Sequence, residues 1–131
     1  MKPGKKGLER IWYATFNSLR GLKSAWQYEA AFRQEALMCL ILVPVAFYVE
    51  ASLAERLLLL ASLFILLITE LLNSAVEAVV DRVGAEFHEL SGRSKDLASA
   101  AVFFALLFML VVWVSILFFC FIGYVQELST N

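Results

Sequence analysis

The chain has 131 residues, enough for one domain, and 61% of them are hydrophobic, with a mean hydropathy of +0.75. Ordinary soluble domains contain about 45–50% apolar residues, so this composition excludes a typical soluble globule and favours a membrane protein. The net charge of −1 does not indicate a nucleic-acid partner. The two cysteines, Cys39 and Cys120, lie in apolar runs and indicate neither a disulfide framework nor a zinc site. We expect one domain, residues 1–131.

The N-terminal segment, about residues 7–28, has the pattern of an amphipathic helix. Its apolar side chains recur at steps of three and four residues: Leu8, Ile11, Trp12, Phe16, Leu19, Leu22 and Trp26. The polar residues Arg10, Asn17, Arg20 and Lys23 lie mainly on the other side. Tryptophan and aliphatic residues opposite lysine and arginine favour a helix in the interface of an anionic leaflet. The alternative is a helix that packs only on its own protein.

Three apolar segments follow, at about residues 30–49, 57–83 and 97–125, and each is long enough for a helix of roughly 20 residues to cross a membrane. The first contains Pro44 and needs Arg33 and Glu35 to lie near the headgroups or to face protein. We predict that Ser91 and Gly92 break the chain between the second and third spans. The predicted fold is therefore an all-α membrane protein with three transmembrane helices behind an N-terminal surface helix.

The distribution of basic residues predicts the orientation. All of the eleven lysines and arginines except Arg56 fall before the apolar stretch of the first span or between the end of the second span and the start of the third. Cytoplasmic loops carry the excess of lysine and arginine. We therefore expect the N-terminus and the 81–96 loop in the cytoplasm and the C-terminus on the periplasmic side of a bacterial inner membrane.

The second span contains a stripe of polar residues within the segment TELLNSAVEAVVDR, residues 69–82. At about 100° per residue, Glu77 and Asp81 each lie within about 20° of Glu70, and Asn73 and Ser74 lie within about 60°. An ionisable residue inside the hydrocarbon costs at least ~2.5–3.5 kcal/mol and is by default a functional-site hypothesis. The alternative is a polar clamp between helices, such as Glu70 with a serine or asparagine of a neighbouring helix.

Further acidic residues lie on the expected cytoplasmic side. They are Glu29 and Glu35 beside Arg33, and Glu86, Glu89 and Asp96 beside His88, Arg93 and Lys95. Carboxylates without cysteine and with one histidine suit a hard cation, so they favour Mg²⁺ over zinc. We interpret His88 as a hydrogen-bonding loop residue. Neither a G-x-x-x-x-G-K-[ST] loop nor a G-x-G-x-x-G turn is present in the sequence, so any nucleotide site lies outside the common soluble nucleotide-binding folds.

Two motifs resemble the bacterial integral-membrane diacylglycerol kinases: EAAFRQE at residues 29–35 and ELLNSAVEAVVDRVGAEFHELSGRSKDLASAAV at residues 70–102. The resemblance extends over residues 7–122. It implies a homotrimer of three-span subunits with active sites shared between neighbours. It also implies an ATP-dependent lipid kinase that uses Mg²⁺ to phosphorylate the primary hydroxyl of diacylglycerol, giving phosphatidic acid.

The same resemblance implies roles for individual residues. Glu70 matches the catalytic base, Asn73 supports the catalytic geometry, Lys95 offsets developing charge, and Glu29 and Glu77 hold the Mg²⁺ that is bound to ATP. The implied nucleotide site comprises Arg10, Asn17, Glu29, Glu77, Glu86, His88, Lys95 and Asp96. The implied lipid site comprises Ala14, Lys23, Trp26, Ala31, Arg33, Glu35, Tyr48, Arg56, Glu70, Ser99 and Trp113. The chain departs from the family at Asn17, where the family can carry an aromatic residue on the nucleotide side, and at several positions of the first span, including Pro44.

Other functions remain open at this point. A related kinase could act on another lipid alcohol, such as undecaprenol. A small ion-translocating subunit would use Glu70 and Glu77 to carry ions, and a non-catalytic assembly subunit would use them for association. The acidic residues lie toward one leaflet, whereas the outer half of every predicted span is uncharged, which argues against a relay through the membrane.

Overall fold

The structure, a computed structural model, describes residues 7–84 and 88–130. These residues form four helices: α1 (Leu8–Tyr28), α2 (Ala30–Tyr48), α3 (Leu53–Val83) and α4 (Glu89–Thr130). The last three are long and apolar enough to cross a membrane. The predicted all-helical architecture with three membrane-spanning segments is therefore confirmed.

A one-residue elbow separates α1 from α2. Glu29 has an extended backbone (φ −106°, ψ 110°), and it ends one helix and begins the next. In α1 only Ala25 is buried, and large apolar side chains such as Trp12 and Phe16 are exposed. The placement of α1 on the membrane surface stays a prediction, and this exposed apolar face is consistent with it.

Helix α3 begins at Leu53, four residues before the predicted span, because a capping box starts it. The backbone N–H of Ser52 donates to Glu55 Oε2 (2.8 Å), and the backbone N–H of Glu55 donates to Ser52 Oγ (3.3 Å). This reciprocal pair satisfies two donors that have no partner inside the helix. Next to it, the Arg56 guanidinium donates to Phe47 O (2.7 Å), Val49 O (3.4 Å) and Ala51 O (3.3 Å), closing the turn between α2 and α3.

The predicted break at Ser91 and Gly92 is wrong, since both residues lie in the first turns of α4. The chain leaves α3 at Gly84 and enters α4 after His88. The Nδ1 atom of His88 accepts a hydrogen bond from the backbone N–H of Leu90 (3.2 Å), and its carbonyl accepts one from Gly92 N (3.1 Å). A glycine inside a helix lowers helix stability by only about 1 kcal/mol relative to alanine. The hydrogen bonds at the start of α4 offset this loss.

The hydrophobic core lies where α2, α3 and α4 pack together. Its buried members are Cys39 and Ala46 of α2, Leu59, Leu63 and Leu66 of α3, and Ala105, Met109, Val112, Trp113 and Ile116 of α4. One buried polar contact crosses it: Trp113 Nε1 donates to Ser62 Oγ (3.1 Å), and Ser62 Oγ donates to Leu59 O (2.7 Å). The core of α3 ends at Leu66, one turn before the polar stripe begins.

Candidate active site

Glu70 is the centre of the candidate site. It is 4% exposed and is the one charged side chain, within residues 7–84 and 88–130, that is buried. No other described side chain or backbone group forms a hydrogen bond with its carboxyl group, so the predicted alternative of a polar clamp has no partner among residues 7–84 and 88–130. A carboxyl group of a buried residue that has no hydrogen-bond partner among the described residues can take a proton from a group that enters the site.

The residues that follow Glu70 on α3 carry further polar atoms. Asn73 Nδ2 donates to Glu77 Oε1 (3.1 Å), which orients that carboxylate along the helix. Asn73 Oδ1 and Ser74 Oγ are buried and have no hydrogen-bond partner in the described part of the chain. Because buried polar atoms are nearly always hydrogen-bonded in native proteins, these two atoms indicate a place where another molecule or another chain binds.

Other helices bring two more carboxyl groups to this place. Glu70 interacts electrostatically with Glu77 and with Glu29 of the elbow, and Glu35 of α2 interacts with Glu70. The Oε2 atom of Glu35 is also buried without a partner among the described residues. Like charges repel strongly where water is excluded, so a set of four acidic side chains favours binding of a cation.

The donor set fits Mg²⁺ that arrives with a ligand. In the described residues no group of three or more His, Cys, Asp or Glu side chains is close enough to form a complete metal site. Mg²⁺, however, is usually held by one or two carboxylates together with phosphate oxygens and water. Glu29 and Glu77 supply two carboxylates of this kind, and both interact electrostatically with Glu70.

A cavity of about 520 Å³ separates the C-terminal half of α1 from α3. Its lining residues are Ser18, Gly21, Leu22, Ser24 and Ala25 of α1, Glu29 of the elbow, and Leu71, Ser74, Ala75 and Ala78 of α3. Its volume lies within the range of about 300–1,000 Å³ that is usual for ligand sites. The small side chains leave this space, and the polar pattern of the sequence pointed only to Glu29 and Ser74 among its lining residues.

Lys95 lies at the edge of the acidic set. Its Nζ atom forms a salt bridge with Asp81 Oδ1 (2.5 Å), which joins the start of α4 to the end of α3, and it also interacts electrostatically with Glu77. Asp81 was predicted to share the stripe of Glu70. The structure places it at the exposed end of that stripe, with its carboxylate directed to Lys95.

The other residues of the implied nucleotide site are spread over two helices. Arg10 and Asn17 are exposed on α1, where Asn17 Oδ1 accepts a hydrogen bond from the Arg20 guanidinium. Asp96 is exposed next to Lys95, and His88 caps the start of α4. Glu86 lies outside the described residues.

The residues of the implied lipid site fall into two groups. In the first group, Ala14, Lys23, Trp26, Ala31 and Ser99 are exposed and Arg33 and Glu35 are partly buried; of these, Glu35 interacts electrostatically with Glu70. The second group is Tyr48, Arg56 and Trp113. Tyr48 lies about 28 Å along α2 from Glu29 and Arg56 about 21 Å along α3 from Glu70, at ~1.5 Å per residue. Trp113 is buried in the core. The structure of the single chain therefore does not bring this second group to Glu70.

Three helices that are long and apolar enough to cross a membrane, together with acidic side chains around Glu70, define a class, that of small helical membrane proteins with a polar site. The comparison with protein families then identifies the group: the family described as prokaryotic diacylglycerol kinase matches residues 16–117, and the chain belongs to this family.

Similar proteins with the name diacylglycerol kinase include those of Haemophilus influenzae, Escherichia coli K12 and Pseudomonas aeruginosa. The chain is 50% identical to the first over 86% of its own length and 96% of the relative's length. The corresponding values are 48%, 82% and 88% for the second, and 51%, 87% and 93% for the third. The resemblance deduced from the two motifs is therefore confirmed.

Proposed function

We propose that this protein transfers the γ-phosphate of ATP to the primary hydroxyl of diacylglycerol, giving phosphatidic acid and ADP. The observation that carries the proposal is the carboxyl group of Glu70, which is buried without a hydrogen-bond partner among the described residues and lies within electrostatic range of Glu29 and Glu77. The names of the similar proteins and the match of residues 16–117 support the same activity.

The proposed mechanism uses these side chains in turn. Glu70 accepts the proton of the lipid hydroxyl as that oxygen attacks the γ-phosphorus, and the bond to the ADP oxygen breaks. Glu29 and Glu77 would hold Mg²⁺, which would supply positive charge to offset that of the phosphates. Asn73 keeps the Glu77 carboxylate in place through its hydrogen bond of 3.1 Å. Lys95, next to Glu77, provides a positive charge for the transferring group. Phosphoryl transfer depends mainly on such positioning and electrostatic stabilisation.

The proposal includes the setting of the enzyme. The charge asymmetry of the loops supports an inner-membrane location with a cytoplasmic N-terminus and a periplasmic C-terminus. The resemblance supports a homotrimer with shared sites. The buried atoms Asn73 Oδ1, Ser74 Oγ and Glu35 Oε2, which have no partner in the described part of one chain, are consistent with contacts from a neighbouring subunit or a ligand.

The test is transfer of labelled γ-phosphate from MgATP, in mixed micelles, to diacylglycerol and to undecaprenol offered separately. We expect label in phosphatidic acid. In Glu70→Gln, transfer should fall about 10²–10⁴-fold, the usual contribution of a general base, while ATP still binds. Glu50→Gln, which changes an exposed carboxylate at the opposite end of α2, should retain full transfer.

Other outcomes would contradict the proposal. Label in undecaprenyl phosphate alone would assign a different lipid alcohol. Wild-type turnover in Glu70→Gln would remove Glu70 from the role of base. If folded trimeric protein transfers no label to either lipid, the kinase function is wrong, and ion flux through reconstituted protein becomes the next measurement.

A further inference from the structure

Arg33 bridges the elbow that carries Glu29. Its Nη1 atom donates to Trp26 O (2.9 Å) and to Gln27 O (3.3 Å). Both carbonyls belong to the last turn of α1. Carbonyl groups in the last turn of a helix have no N–H partner within that helix. Among the described residues, these are the side-chain hydrogen bonds that connect α2 to α1.

Arg33 provides the positive charge that α1 lacks at its own C-terminus. The last turn of α1 contains no lysine, arginine or histidine of its own, although a cation is favourable at this end of a helix dipole. The guanidinium of Arg33 takes that place from the neighbouring helix. In the backbone, Glu29 N donates to Ala25 O (2.9 Å) and Arg33 N donates to Glu29 O (3.3 Å), so Arg33 contacts the elbow through both its main chain and its side chain.

The angle of the elbow determines where the Glu29 carboxylate lies. One extended residue leaves only two backbone dihedrals between the helices, and α1 buries only Ala25 in the rest of the chain. Rotation about those dihedrals would move Glu29 away from the cavity wall that it shares with Ser74 and out of electrostatic range of Glu70. The two hydrogen bonds of Arg33 oppose this rotation.

We propose that Arg33 is a positioning residue, which holds the elbow so that Glu29 stays in the cavity lining that it shares with Ser74. The proposal rests on the proposed function, in which Glu29 and Glu77 share the metal. It differs from the role in lipid binding that the resemblance implies for Arg33, because the guanidinium is engaged with two main-chain carbonyls. A positioning role predicts weaker metal binding when Arg33 is replaced, whereas a lipid-binding role predicts weaker binding of the lipid.

The experiment compares Arg33→Gln and Arg33→Lys with the wild-type protein in mixed micelles. Mn²⁺ binding is followed by electron paramagnetic resonance in the presence of a non-hydrolysable ATP analogue, which requires no turnover. The Mg²⁺ dependence of transfer and the KM for diacylglycerol are measured in parallel. The control is Arg82→Gln, which removes an equal charge from an exposed position in the last turn of α3.

We expect Arg33→Gln to weaken Mn²⁺ binding and to raise the Mg²⁺ concentration for half-activation by about tenfold, as the loss of charge-assisted hydrogen bonds would. The lipid KM should stay within about twofold, because this variant leaves the lipid contacts in place. The Mn²⁺ affinity and Mg²⁺ dependence of Arg33→Lys should lie between those of the wild-type protein and Arg33→Gln, since an ammonium group keeps the charge but lacks the rigid fork of guanidinium. If Arg33→Gln does not fold, Arg33→Lys decides.

A raised lipid KM with unchanged Mn²⁺ binding would overturn the proposal in favour of a lipid contact. Unchanged values throughout, or an equal loss in Arg82→Gln, would also overturn it, because either result leaves no specific role for the elbow contact. Should the wild-type protein transfer no phosphate, the proposed function fails, while the Mn²⁺ titration still decides whether Arg33 positions Glu29.

Discussion

Removal of the Ser62 hydroxyl tests how much the contact between α3 and α4 depends on one buried hydrogen bond. Ser62 is fully buried, and Trp113, which donates to it over 3.1 Å, is 5% exposed. Ser62→Ala leaves the indole N–H without an acceptor, a penalty of about 1–3 kcal/mol in soluble proteins. Hydrogen bonds between membrane helices average only about 0.6 kcal/mol and reach about 1.7. We therefore expect the free energy of unfolding to fall by about 1 kcal/mol.

The assay is a double-mutant cycle of Ser62→Ala and Trp113→Phe. Unfolding is followed by far-UV circular dichroism as the mole fraction of SDS rises. The double variant should be less destabilised than the sum of the two single variants, because Phe removes the donor that Ser62→Ala leaves unsatisfied. Ser115→Ala, at an exposed position of α4, is the control. Equal stability of Ser62→Ala and Ser115→Ala, with no coupling in the cycle, would refute the reasoning.

Three further predictions concern the helix ends. Arg56→Gln should lower the free energy of unfolding by about 1–2 kcal/mol, because three main-chain carbonyls lose their hydrogen-bond donor. The lipid KM, measured in the transfer assay, should stay unchanged. A raised lipid KM would support the implied lipid contact instead. Ser52→Ala should lower the free energy of unfolding in SDS by about 1 kcal/mol, because the N-terminal cap of α3 is lost. Ser52→Asp should keep most of the wild-type value, because aspartate is also a good N-cap. Lys95→Met should lower kcat about 10²–10³-fold with little change in the free energy of unfolding, since its pair with Asp81 is largely exposed; a large loss of stability would make the pair structural.

Helical periodicity accounts for what the sequence predicted well. Seven residues make nearly two turns of an α-helix, so Glu70 and Glu77 had to share a side of α3, and Asn73 lies between them. The length and apolar composition of three segments likewise determined the number of spanning helices. These features depend only on the local geometry of a helix and on the solvent around it, and both can be read from one chain.

The contacts of Arg33, Arg56 and His88 could not be predicted in the same way. Each of them binds main-chain atoms at the end of a helix, so their partners depend on the residue at which that helix stops. The sequence placed a break at Ser91 and Gly92, where helix propensity is weak, whereas α3 ends at Val83 and α4 begins at Glu89. The pairs Trp113–Ser62 and Lys95–Asp81 depend on the register of α4 against α3, which no local pattern determines.

The length of α4 has a consequence for the bilayer that the protein can occupy. Its uncharged stretch, Leu97 to Val125, is roughly 43 Å long at ~1.5 Å per residue, whereas a typical hydrocarbon core is about 30 Å thick. The surplus lets the helix slide or tilt as the bilayer thickens without bringing a charge into the hydrocarbon, at a cost of only fractions of a kcal/mol per Å of mismatch. The fold should therefore tolerate bilayers of lipids with longer acyl chains, because α4 can adjust its tilt to the thickness.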